Sequence, residues 1–192
     1  MFSKETYITR RAELKKLTES GLILIFGNND SPANYPANTY KLRQDSTFLY
    51  FFGWQRDGLV GVIDVDNDRE YFVGDEIDID DIVWYGSVTS VGEMAARAGV
   101  ARTAKMRELQ NIVDAAKSSG QEIHFLPPYR FDTKIQIMDL LGLHPAVQKE
   151  AASRKLIDAV VKLRSTKSEE EIAELERAAR IGYEMHTAAM RL

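Results

Sequence analysis

The run Leu22-Ile23-Leu24-Ile25-Phe26 limits most sharply what this chain can become. It is apolar at every position and ends at Gly27. Five residues cannot span a bilayer, and a strand with one wet face would alternate polar and apolar side chains. These residues therefore predict a strand inside a sheet covered on both sides. Just upstream, Tyr7, Leu14 and Leu17 share one helical stripe between Ser3, a candidate N-cap, and Gly21, a candidate stop. An amphipathic helix feeding a buried strand predicts an α/β fold.

Downstream, residues 28–38 hold two prolines and four asparagines without periodicity and predict a loop. Thr47 to Phe52 is aromatic-rich and closes at Gly53, which predicts a strand. Leu59 to Val65 and Glu70 to Val73 flank Asp66-Asn67-Asp68, which predicts a hairpin. The helical period returns over Val91 to Ala98 and Met106 to Ala116. A short strand, Glu122 to Leu126, stops at Pro127-Pro128, and Ile135 to Leu141 predicts another helix. This order predicts a mixed sheet with helices on its faces. Ser168 and Glu171 form a capping-box pattern that opens a long helix, with Ile172, Leu175, Ala179 and Met185 or His186 on its apolar stripe. That stripe faces no predicted partner, so we expect further chain beyond Leu192, and a helix that is poorly ordered or borrowed by a neighbouring copy when isolated.

The 192 residues carry 25 Lys and Arg against 29 Asp and Glu, a net charge of -4, and no cysteine. Without a basic surplus, nucleic acid is not the expected partner. Disulfides, thiolate nucleophiles and Cys-ligated zinc are excluded, which fits a reducing compartment. The first twenty residues are rich in Lys, Arg and Glu, so neither a secretory signal nor a membrane partner is expected, and the chain reads as cytoplasmic. Residues 57–81 hold ten acidic side chains against Arg69. Asp64, Asp66 and Asp68 imitate the start of a calcium loop, but Arg69 stands where the tight turn needs Gly and Asp75 where a bidentate Glu belongs. The run, including Asp75, Glu76, Asp78, Asp80 and Asp81, reads as a solvated hairpin and loop. His124, His144 and His186 sit in separate elements without metal-ligand spacing, and no hydrolase or phosphate-binding motif is present. Two segments invite a functional reading. Tyr40 to Ser46 places Arg43 and Gln44 between a loop and an aromatic segment, where they could satisfy loop carbonyls or reach a partner. Trp84 follows the acidic run, where a loop could expose its indole.

Arg10-Arg11, Leu14, the strand to Phe26, and then Tyr40, Arg43-Gln44, Ser46, Phe48, Tyr50 and Gly53 resemble the R-R-x-x-L … Y-x-x-R-Q-x-S-x-F-x-Y-x-x-G pattern that opens aminopeptidase P, the Xaa-Pro aminopeptidases of the creatinase/prolidase type. Ile82-Val83-Trp84-Tyr85-Gly86 resembles that family's E-I-W-x-G segment, and Leu163 to Ser168 with Glu171, Ile172, Leu175, Ala178 and His186 resembles the start of its catalytic domain. The resemblance implies a mixed six-stranded α/β sheet with a ribonuclease H-like layer. Residues 1–150 would be the amino-terminal domain, 151–167 a linker, and 168–192 the first helix of a catalytic "pita-bread" domain. It implies a parent hydrolase that removes the residue preceding proline, with two divalent metal ions, usually manganese, held by two Asp, one His and two Glu. Those ligands match no position here, so no catalytic or metal residue and no cofactor is assigned to this chain. The implied partners are peptides with proline in second position and further copies of the chain. Trp84 and Tyr40 become candidate substrate-lip residues, with Arg43 beside them and expected chiefly to tie its loop to the sheet. Two alternatives fit the same architecture: prolidase, and the non-catalytic peptide- or protein-binding modules of some histone chaperones.

Overall fold

The computed structural model describes residues 2–77, 82–84, 86 and 88–191. Ser3 caps the first helix, α1 (Lys4–Thr18), by accepting from the backbone N–H of Thr6. The chain then enters β1 (Leu22–Phe26), whose pleat sends Ile23 and Ile25 to one face of the sheet and Leu22 and Leu24 to the other. Both sets are buried, so β1 is central. It pairs antiparallel with β4 (Val60–Asp64) and parallel with β7 (Ile123–Phe125). Outward from β4 come β5 (Arg69–Val73), antiparallel, and β6 (Arg102–Ala104), parallel to β5. The order β6-β5-β4-β1-β7 makes a five-stranded mixed sheet. The resemblance implies six strands and the sheet has five among the described residues: of the five segments read as strands the aromatic one is helical, and β6 is a strand that the sequence pattern does not predict. A separate hairpin, β2 (Pro32–Tyr35) and β3 (Asn38–Thr39), stands inside the segment that predicts a loop.

That aromatic segment is α2 (Ser46–Phe52), which corrects the strand expected over Thr47–Phe52. Asp45 accepts from the backbone N–H groups of Thr47 and Phe48, and Gly53 closes the helix in the left-handed region at φ 77°. Phe48, Phe51 and Phe52 fall at i, i+3 and i+4 and are all buried, a helical spacing that outweighs the β preference of aromatics. Phe48 stacks on Phe52 with centroids 5.2 Å apart, and both meet Phe72 of β5 edge-on.

With α2, the helices α1, α3 (Val91–Ala98) and α7 (Arg154–Ser165) cover one face of the sheet. A short 3₁₀ turn, Met106–Glu108, leads into α4 (Leu109–Ser118), and α4 and α5 (Phe131–Leu141) cover the other face. Residues 151–167, expected as a linker, contain α7, whose Leu156, Ala159 and Val160 are buried in the first core. The single turn α6 (Gln148–Ala151) precedes it. The last helix, α8 (Glu169–Met190), opens with the capping box expected at Ser168 and Glu171 and has no buried residue.

Gly61 lets α2 lie on the sheet. A Cβ added there would come within 2.0 Å of the Phe52 ring, inside any possible contact. Gly61→Ala is expected to destabilise the fold by about 1–3 kcal/mol or more, measured by urea unfolding, through displaced aromatic packing. Unchanged stability would contradict the close α2–β4 contact.

Candidate functional site

Because β4 runs antiparallel to both β1 and β5, the strands β1, β5, β6 and β7 all point their carboxyl ends the same way. A crevice outside strand carboxyl ends is where open α/β sheets usually place ligands. Here that end carries a groove of about 1020 Å³. Asn29 and Asp30 after β1, Asp75 and Glu76 after β5, Met106 after β6, and Asp132 and Ile135 of α5 line it.

A hydrogen-bonded network fixes the loops of this rim. Gln44, fully buried, accepts from the backbone N–H groups of Asn28 (2.5 Å) and Asp45 (2.7 Å) and donates to the Arg56 carbonyl (2.5 Å). Asn28 Nδ2 donates to the Arg43 carbonyl (2.8 Å) and to the Tyr129 hydroxyl (3.0 Å), which donates in turn to Asp45 Oδ2 (3.1 Å). Burial pushes the Tyr129 phenol above its ordinary value, and the Asp45 carboxylate adds to this against the opposing bond from Asn28. Arg130 donates to the Asn29 carbonyl and Ser31 Oγ (each 2.8 Å), and its Nε lies 3.0 Å from Asp132. Burial raises the Asp30 carboxyl above the usual range, Asp57 raises it further, and Arg130 opposes both.

Two carboxylates of the acidic run serve backbone ends. Asp75 accepts from the N–H of Met106 (3.0 Å), opening the 3₁₀ turn, and Glu76 accepts from the N–H of Val91 (2.9 Å), opening α3. An anion at a helix start is favourable, so this part of the run acts as long-range caps. Asp78, Asp80 and Asp81 lie outside the described residues. Among the described residues, no group of three or more His, Asp or Glu could hold a metal ion, so the two-metal set implied for the parent does not fit here.

Tyr40 is 66% exposed and follows Thr39, which lines the groove. Trp84 is 82% exposed and stands in a short helical stretch, residues 82–84, which corrects the loop expected there; neither it nor Tyr40 is among the residues that line the groove. Tyr85, its motif neighbour, lies outside the described residues. Arg43 has an exposed side chain, and the loop is tied down by its carbonyl and by Gln44. A guanidinium can only donate, whereas this rim needs an acceptor for two N–H groups and a donor for one carbonyl, which an amide supplies. No motif singles out Tyr129 and Arg130 in the sequence. Their only signal is position, directly after Pro127-Pro128 at the end of β7, an edge strand of the sheet.

The whole architecture is shared with solved structures. Aminopeptidase P from E. coli in a low-pH form superposes with a TM-score of 0.79 at 23% identity, covering 99% of this chain and 45% of that one. "Proline aminopeptidase P II" from Yersinia pestis gives 0.78 at 20% identity, covering 98% and 45%. A zinc-substituted E. coli aminopeptidase P with bound product gives 0.77 at 22%, again covering 98% and 45%. The chain thus spans just under half the length of the structures it matches. Among curated protein sequences no match is found. The family profile described as "Aminopeptidase P, N-terminal domain" matches residues 7–124, and the chain belongs to that family.

The rim carries a testable charge. Burial alone would raise the Asp132 carboxyl, but the hydrogen bond and positive charge of Arg130 outweigh it and hold it below its ordinary value of 3.8. A depressed folded-state pKa contributes stability above the unfolded value and loses it as pH falls through the folded one. The stability gap between the native chain and Asp132→Asn is therefore expected to shrink as unfolding is measured from neutral pH to below 3.8. A gap independent of pH would contradict the pairing.

Proposed function

We propose that this chain is the amino-terminal domain of a proline-specific metalloaminopeptidase, a hydrolase that removes the residue preceding proline from peptide N-termini. The observation that carries this reading is the family match over residues 7–124, together with a fold that corresponds to 45% of aminopeptidase P chains. In this reading residues 1–150 form the domain, 151–167 lead out of it, and α8 is the first helix of a catalytic domain that houses two divalent ions, with manganese expected. The polar side chains of the loops beside the groove are engaged with one another and with loop backbone, which supports a structural role for them. The domain's role is then to bring copies together in a homo-oligomer and to shape the substrate cleft. Exposed Trp84 and Tyr40 would contact the peptide as its lip, with Arg43 as the third candidate contact. A cytoplasmic setting fits the absence of cysteine, and no helix among the described residues is long and apolar enough to cross a membrane.

A non-catalytic peptide-binding module of the same fold is the second reading, favoured by the groove being present without a metal cluster among the described residues. Turnover of an Xaa-Pro peptide with added manganese separates the two. The 192-residue chain alone is expected to give none, and the product of the reading frame continued past Leu192 is expected to cleave it. Turnover by the chain alone, or its absence from the continued product, would sink the proposal.

A further inference from the structure

Helix α8 is attached almost entirely at one end. Ile172, Leu175, Ile181 and Met185 are each 46% exposed or more, and no residue of the helix is buried. A helix with no packed face gains no fixed direction from the hydrophobic effect, so its direction must come from its first turn. Two groups of the domain body meet that turn, and a third holds the chain just before it. Thr6 Oγ1 donates to Glu170 Oε2 at 2.8 Å. Arg10 Nη2 lies 3.4 Å from Glu171 Oε1, with the two side chains only 8% and 16% exposed. Tyr50 donates through its hydroxyl to the Leu163 carbonyl (3.0 Å) at the end of α7, just before the joint.

Arg10 is the part of this joint with no alternative. Its guanidinium is wedged between the rings of Phe2 (4.8 Å) and Tyr50 (4.0 Å), and Nη1 donates to the Tyr50 carbonyl (2.9 Å). These contacts fix where the cation sits. Nη2 is buried without a hydrogen-bond partner, and the ion pair to Glu171 is the only one Arg10 makes among the described residues. If α8 swung away, a desolvated cation would be left uncompensated, an arrangement far costlier than breaking a surface pair. Glu171 is equally constrained, because its Oε2 accepts from the Ser168 N–H (3.0 Å) in the capping box. Its second oxygen can meet Arg10 only when α8 leaves in one direction.

We propose that Arg10 is a positioning residue, which sets the direction in which α8 leaves the domain by pairing with the Glu171 carboxylate of its capping box. The consequence is a joint whose angle is encoded in a side-chain pair, with the α7–α8 connection free to bend once that pair is lost.

The chain has no cysteine, so two spin labels can be placed cleanly, through Ala115→Cys on α4 and Glu184→Cys on α8, both exposed positions. Pulsed dipolar spectroscopy then reads the distance distribution between them, in doubly labelled chain diluted with unlabelled chain. Glu171→Gln keeps the capping box, since Gln also serves at that position, and is expected to broaden the distribution and move its mean. Arg10→Gln is expected to do the same, and the double variant no more than either single one. Glu174→Gln, which removes a pair lying within α8 itself, is expected to change nothing. Should Arg10→Gln fail to fold, Glu171→Gln carries the test alone. A distribution of unchanged mean and width in Glu171→Gln, or equal broadening in Glu174→Gln, would overturn the proposal.

Discussion

The fold depends on a guanidinium placed where few proteins tolerate one. Arg11 is fully buried, and each nitrogen of its fork meets a different element. Nε pairs with Glu70 of β5 at 2.8 Å, Nη1 donates to the Phe51 carbonyl of α2 (2.8 Å), and Nη2 donates to the Gly99 carbonyl just past α3 (3.1 Å). Its plane also sits 5.3 Å from the centre of the Phe52 ring. Burial pulls the Arg11 pKa down, and the Glu70 carboxylate works against that loss. One side chain of α1 therefore ties together a strand and the ends of two helices. The two helix carbonyls it satisfies would otherwise be orphaned, because helix ends leave acceptors without intrahelical donors.

The neighbouring arginine does complementary work. Arg11 joins α1 to the sheet layer, while Arg10, also buried, reaches toward the start of α8. An R-R pair on one helix turn can do this because successive residues lie about 100° apart around the helix axis. Lys15, one turn further, bonds Asp68 and Glu70, so two carboxylates of the acidic hairpin are met from the same helix. The polar residues of α1 thus order the molecule as much as its apolar stripe does.

Much of this architecture is legible in the amino-acid sequence. The bounds of β1, α1, α3 and the start of α8 follow from it within a residue or two, because the apolar pattern marks β1 and α3, and at α1 and α8 the caps Ser3 and Ser168 agree with it. Where two signals disagree, the stronger local propensity misleads: Phe48 to Phe52 look like a strand by composition and are a helix by spacing and by the Asp45 cap. β6 is three residues long and the β2–β3 hairpin is wholly exposed, so neither writes a hydrophobic pattern into the chain. At the candidate site, Trp84 and Tyr40 are both exposed, but Trp84 stands in a short helical stretch, residues 82–84, where a loop is expected. Gln44 takes the place of Arg43 as the anchor because the need is for an acceptor, a demand visible only once Asn28 and Asp45 are adjacent. The capping roles of Asp75 and Glu76 span 31 and 15 residues of sequence and leave no trace in local pattern.

The most direct measurement is urea unfolding of Arg11→Ala against the native chain. With two carbonyls left unpaired in the interior and Glu70 left to Lys15 alone, the loss is expected to be about 3–5 kcal/mol, the scale of a broken buried ion pair. A loss under about 1 kcal/mol, the scale of an exposed pair, would show that the layers are joined by apolar packing alone and that the inward arginine is incidental.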